Sequence, residues 1–242
     1  MSPYDFFAIN IKTEFAICMK STDVYDATCE SAEPYTGNGA LYNWFVAQGD
    51  IAPAGWKMPT ITDFEILGMF LDANYNPYAP DYDASSMGGN KLKEIGLFHW
   101  MNAFGTDDYS FKGIGSGHRR DDGSFEFLKR DELFWTATFD SVDDGKTCGL
   151  NTATDVLAIN YYSSKKFGKS IRFVKYNSDD PGTVKDSDGN VYNTIKIGNQ
   201  VWMAANLNVK HFNDGTLIPE VTDNTSWAAL TTPGMCYYNN TP

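Results

Sequence analysis

The spacing of apolar residues predicts one clear helix and several short strands. Phe64, Leu67, Phe70 and Leu71 recur at helical spacing and form one apolar face. Thr60 stands where an N-cap belongs, and Asp63 at the capping-box position three residues later. A shorter apolar helix is expected over residues 39–46, and another, capped near Asn224 or Thr225, carrying Trp227 and Leu230. Residues 156–162, Ser170–Val174, Val191–Ile197 and Gln200–Met203 read as strands. Gly198-Asn199 joins the last two as a hairpin, and Asp186–Asn190 forms a turn before them. Residues 6–11 and 14–17 lean towards strand with only partial alternation. Residues 72–90, rich in Asn, Asp, Tyr, Pro and Gly, read as a long loop, and 176–182 as a linker.

Composition agrees with this patchwork. Aromatics make up 15% of the 242 residues, with 21 Gly, which favours short strands and long ordered loops over a helix bundle. The length allows one large or two small domains. The formal charge of -12 argues against nucleic acid and against anionic membrane surfaces. Lys and Arg cluster only weakly, and the pairs Arg119–Arg120 and Lys165–Lys166 read as solvated turns. No apolar run approaches the ~20 residues that span a bilayer. The opening Met1-Ser2-Pro3-Tyr4-Asp5 lacks a basic stretch and Phe6–Ile9 is short, so no secretory signal is expected. Cys18, Cys29, Cys148 and Cys236 show no C-x-x-C spacing. They read as free, partly buried thiols, although Cys18 and Cys29 could close a small loop.

Several motifs carry a resemblance. The text DSDGNVYNTIKIGNQVWMAANL and NDGTLIPEVTDNTSWAALTTPGMCYYNN, within 186–240, resembles the opening half of the Fibrobacter succinogenes major paralogous domain family. GALYNWFVA, PAGWKMPT, GGNKLKEIGLFHW, GSGHRRDDGSF, FWTAT and GKSIRFVKY, within 39–176, resemble its closing half. The resemblance implies an α+β, C-type-lectin-like fold: small twisted antiparallel sheets, two or three short helices and long ordered loops. It implies recognition or display rather than a defined reaction.

Two departures from the family follow. Its opening half comes first; here it comes second. One reading is a permuted domain over 36–242, with 36–176 as closing half, 177–182 as linker, 183–242 as opening half and 1–35 as an attachment arm. There the strand Ser170–Lys175 would lie beside Val191–Ile197. The others are a second domain cut short, or exchange of 183–242 between subunits. Second, positions that the family often fills with cysteine are Ala52 and Phe173, which fits maturation in a reducing compartment.

Candidate chemistry is sparse. Ser116 near His118 invites a nucleophile–base reading, but no G-x-S-x-G elbow surrounds it. His99 reads as a packing residue beside Trp100. Asp186, Asp188 and Asn190 resemble the start of a calcium loop without its later Glu, so a turn explains them more simply. No catalytic residue, metal ligand or cofactor is expected. Most tryptophans are expected in the core. Ligand contacts are expected from the loops 74–82, 140–146 and 160–166, through Tyr75, Tyr78, Tyr82, Asn160, Tyr161, Tyr162 and Lys165. The resulting expectation is an oligomeric virion fibre or appendage component that contacts other subunits and a host glycan or protein. A cementing virion protein and a bacterial surface adhesin are the alternatives.

Overall fold

The computed structural model describes residues 37–78, 85–176 and 182–242. By contacts the chain divides into two units, 1–34 and 35–242, and every described residue lies in the second. The strands expected at 6–17, Cys18 and Cys29, and Tyr82 lie outside the described residues.

The unit is mixed α+β, mostly antiparallel strands with few helices. Strand β1 (Leu41–Tyr42) leads into helix α1 (Trp44–Ala47), and helix α2 spans Ile61–Leu71. Strands β2 (Ser85–Met87), β3 (Ser116–Arg119), β4 (Phe125–Leu128), β5 (Asp131–Phe139), β6 (Asp144–Asn151) and β7 (Val156–Ser164) follow. They form a six-stranded sheet in the order β2-β7-β6-β5-β3-β4. All its pairings are antiparallel except β3–β5, which meet in parallel at Gly117 and Glu132. Next come β8 (Val174–Tyr176), β9 (Thr183–Lys185), β10 (Val191–Ile197), β11 (Gln200–Met203), helix α3 (Asn224–Ala228) and β12 (Met235–Cys236). A four-stranded sheet runs β8-β11-β10-β9, and β1 pairs with β12.

Helix α2 begins as its sequence dictates. The Thr60 hydroxyl accepts from Asp63 N, and the Asp63 carboxylate accepts from Thr60 N at 2.6 Å. Phe64, Leu67 and Leu71 are buried, whereas Phe70 is exposed and lies edge-on to Tyr109. The helix expected over 39–46 is only half helix. The Asn43 side chain ends β1 by accepting from Gly234 N and Val46 N and donating to Thr232 O, so helix starts only at Trp44.

Residues 183–242 build the core of the same chain. Strand β11 pairs with β8, bringing Trp202 opposite Val174 and Val201 opposite Lys175. Strand β10 lies one position further out, on the far side of β11, and is not paired with β8, contrary to the expected neighbourhood. Its hairpin to β11 uses Gly198, whose φ of +60° suits the tight turn. All three apolar clusters mix the two stretches. Trp202 and Ile197 pack with Phe64, Phe134 and Leu150; Met203 and Leu207 with Tyr42 and Phe173; Trp227 with Leu41.

Two buried arginines cross the same boundary. Arg119 donates to the carbonyls of Gly123, Val221 and Thr222 and to Asn224 Oδ1, with its guanidinium against Phe125 and Trp227. It is fully buried, and Lys165 nearly so; both were expected on solvated turns. Arg172 donates to Asn206 Oδ1, to the carbonyls of Phe111 and Lys112, and to Glu132. Burial raises the Glu132 carboxyl against the pull of Arg172. An uncharged alternative to such a pair would need equally good packing; losing one partner leaves a buried charge exposed to no compensating group.

Candidate functional site

Strands β5, β6 and β7 have one sealed face and one that is open only in part, since Trp135 on that second face is buried against Tyr42. Phe134, Cys148, Leu150, Leu157 and Ile159 point inward beneath α2 and Trp202. Asp131, Leu133, Thr147, Gly149, Asn151, Ala158 and Tyr161 line a shallow cavity of about 240 Å³ on the other side. Gly149 helps create it: a Cβ there would stand 2.5 Å from Leu133 Cδ2, so the strand presents bare backbone.

A β-bulge shapes the rim. Thr147 pairs with Tyr161 but Gly149 pairs with Ala158, so Ile159 and Asn160 together face Cys148. Asn160 takes φ +67°, a left-handed value that Asn tolerates better than most residues. The extra residue re-aims the strand end and presents Tyr161 and Tyr162 as consecutive exposed rings. Lys146 Nζ lies 3.4 Å from the centre of the Tyr162 ring and 3.4 Å from Asp140. The Tyr161 side chain has no ring, cation or hydrogen-bond partner among the described residues. Across the hollow, Asn151 Nδ2 donates to Asp131 Oδ1. Burial raises the Asp131 carboxyl, and Asn151, Arg130 and Lys169 pull it back.

The expected contact residues separate accordingly. Tyr161 lines the hollow just past the bulge at Asn160, whereas Tyr162, the next residue, points to the opposite face and is exposed over Lys146. Tyr78 is exposed beyond α2, in another loop. Tyr75 is buried in the core and packs against Gly68 of α2. Lys165 is buried under the β5–β6 turn, donating to the carbonyls of Ser141 and Val142 at 2.7 and 2.8 Å, above the Trp44 ring. Both are thus framework groups. Of the loops expected at 140–146 and 160–166, the second is mostly strand and the first runs into strand, because β7 extends to Ser164 and β6 starts at Asp144. The β6–β7 ladder, not loop chemistry, sets their positions.

The other candidate chemistry is engaged elsewhere. The Ser116 hydroxyl meets Ser170 Oγ at 3.0 Å and not His118. His118 packs against Phe127 and Phe167, and burial, with Lys169 and Arg120 adding, pulls its pKa down to about 4. Asp186 accepts from the amides of Asp188 and Asn190 and from the Tyr192 hydroxyl at 2.6 Å, as a turn carboxylate does. No group of three or more His, Cys, Asp or Glu that could hold a metal occurs among the described residues. No helix of the described residues is long and apolar enough to cross a membrane. Cys148 and Cys236 are free and buried.

A family model, the Fibrobacter succinogenes major domain, matches residues 5–175. The match begins inside the segment read as an attachment arm and ends before β9. No curated protein and no solved structure matches the chain.

Proposed function

Because the chain belongs to the Fibrobacter succinogenes major domain family, we propose that it is a non-catalytic recognition module of C-type-lectin-like fold with its halves in permuted order. Residues 183–242 take the place of the family's opening half. The module serves as a virion fibre or appendage component that contacts a host surface. The observation that carries the binding role is Tyr161, half exposed next to a bulge on a six-stranded sheet and lining a hollow of about 240 Å³, with the Tyr162 ring exposed at the following strand position. Rigid aromatic rings cost little conformational entropy on binding, and sites on strands hold position better than sites on loops. Placement in a virion assembled in a reducing compartment is supported by Ala52 and Phe173, where the family often has cysteines, and by free thiols at Cys148 and Cys236.

The test is binding of the purified chain to whole bacterial cells and to a glycan array, beside the double variant Tyr161→Ala/Tyr162→Ala. Loss of cell or glycan binding in a variant with unchanged circular dichroism supports the reading. Binding that is absent from the wild type, or unchanged in the variant, removes it.

A further inference from the structure

The loop between β2 and β3 exposes an apolar surface that the hollow around Tyr161 does not use. Ile95, Leu97, Phe98, Met101 and Phe104 are each 52–68% exposed within ten residues. At roughly 200 Å² for a large side chain, they leave on the order of 600 Å² of contact surface open to solvent. That is the upper end of what a monomer ordinarily shows as one patch.

The loop is held in place. Trp100 is buried between the exposed residues, and its Nε1 donates to Gly113 O at 2.9 Å. Met101 N donates to Lys129 O, Asn102 N to Thr152 Oγ1 and Gly115 N to His99 O. Neighbouring Phe127 is partly exposed at φ +63°, a value bulky side chains rarely adopt. The apolar groups are therefore presented on a fixed frame and do not fold back into the core.

We propose that residues 95–104 form a self-association surface whose partner is a second copy of this chain, joined across a two-fold axis. Area is the first argument. A stable interface takes about 800 Å² from each partner, and this patch supplies most of an apolar centre of that size. Charge is the second. Two copies, each of formal charge -12, repel over most of their surface. Residues 95–104 contain no Asp, Glu, Lys or Arg, and the nearest carboxylate, Glu94, is tied to the His99 ring, so two copies can meet here with little opposing negative charge. Both signs border the stretch, with Lys129 and Arg130 beside Met101 and Asp107 and Asp108 beyond Phe104. A two-fold axis can set one copy's basic border against the other's acidic border. The inference stands on this loop and is independent of the ligand role of Tyr161.

Sedimentation equilibrium of the full chain between about 1 and 100 µM, which detects even a dimer at the weak, micromolar end of interface affinities, tests it. The wild type is expected to be a dimer at the upper end. Leu97→Asp and Met101→Asp are each expected to raise the dissociation constant at least tenfold with an unchanged circular dichroism spectrum. Val142→Asp, exposed on the β5–β6 turn, is expected to leave it unchanged. A monomeric wild type at 100 µM overturns the proposal, as does a dimer that survives both loop substitutions. If Leu97→Asp and Met101→Asp fail to fold, Leu97→Gln and Met101→Gln replace them, and a dimer unaffected by these also overturns it.

Discussion

The two faces of strands β5–β7 share a backbone and differ in almost everything else. On the inner face, Phe134, Cys148, Leu150, Leu157 and Ile159 are fully covered, and part of the cover, Trp202, comes from fifty residues further along the chain. On the other face, Trp135 is sealed in a second apolar cluster, but further along Leu133 and Ala158 are only half-buried and Tyr161 is half exposed. Strand periodicity of two makes such a split possible; what fills each side decides which face carries stability and which is free for contact. The contrast teaches that residues of 183–242 are built into the core beneath these strands, while the bulge at Asn160 lies away from that core.

The largest effect should come from removing that cover. Trp202→Ala deletes a fully buried ring that packs 5.0 Å from Phe64 and faces Phe111. The expected loss is about 3–5 kcal/mol in urea-induced unfolding. A loss below about 1 kcal/mol would mean that β11 is not part of the inner cover and would dissolve the comparison.

Arg119→Met comes next. Its guanidinium is shared by three carbonyls, Asn224 Oδ1 and two aromatic faces, and most of those partners lie in 221–227. Leaving those acceptors buried and unpaired is expected to cost about 2–4 kcal/mol. Hydrogen exchange should speed up first in α3. Equal acceleration throughout the sheet would show instead that Arg119 supports the whole domain and not the joint.

How much of this contrast was legible follows from where the partners lie. The α2 cap needs residues three apart, and the β10–β11 hairpin needs a two-residue turn, so the sequence pattern predicts both. The apolar alternation of 156–162 also marks β7. Arg119 and Lys165 were unreadable as buried groups because their acceptors lie far along the chain or are backbone carbonyls, which no side-chain pattern reports. Asn43 looks like a helix residue until Gly234, 191 positions away, supplies its amide. On the candidate face, Tyr161 and Tyr162 were visible as aromatics, but the bulge that exposes them depends on register with β6. Tyr75, chemically identical, went to the core because it falls against Gly68.

A smaller effect concerns pH. His118 is held neutral, with its pKa lowered to about 4 from an ordinary 6.5. Its contribution to stability is therefore complete above about pH 6.5 and is lost as pH falls through about 4. Carboxylates titrate over part of the same window, so the difference from His118→Phe isolates the imidazole. Between pH 7 and 4 the wild type should lose about 2–3 kcal/mol more than the variant. Parallel curves would place a protonated imidazole comfortably in the fold, and β3 would then belong with the permissive outer surface.

The smallest effect on stability tests the other side of the comparison. Tyr161 is half exposed and its side chain has no described partner, so Tyr161→Ala removes little buried area. The expected change in unfolding free energy is within about 0.5 kcal/mol. Asn160 keeps the bulge, since the β6 register depends on backbone pairs at Thr147 and Gly149 and not on the ring. The measurement is chemical denaturation of the two proteins side by side, with the unfolding slope compared as well as the midpoint. A loss above about 2 kcal/mol, in the range of a core truncation, would show that the ring packs into the hollow it borders. The open face would then be a second, smaller core, and the fold would have no spare aromatic to offer a ligand.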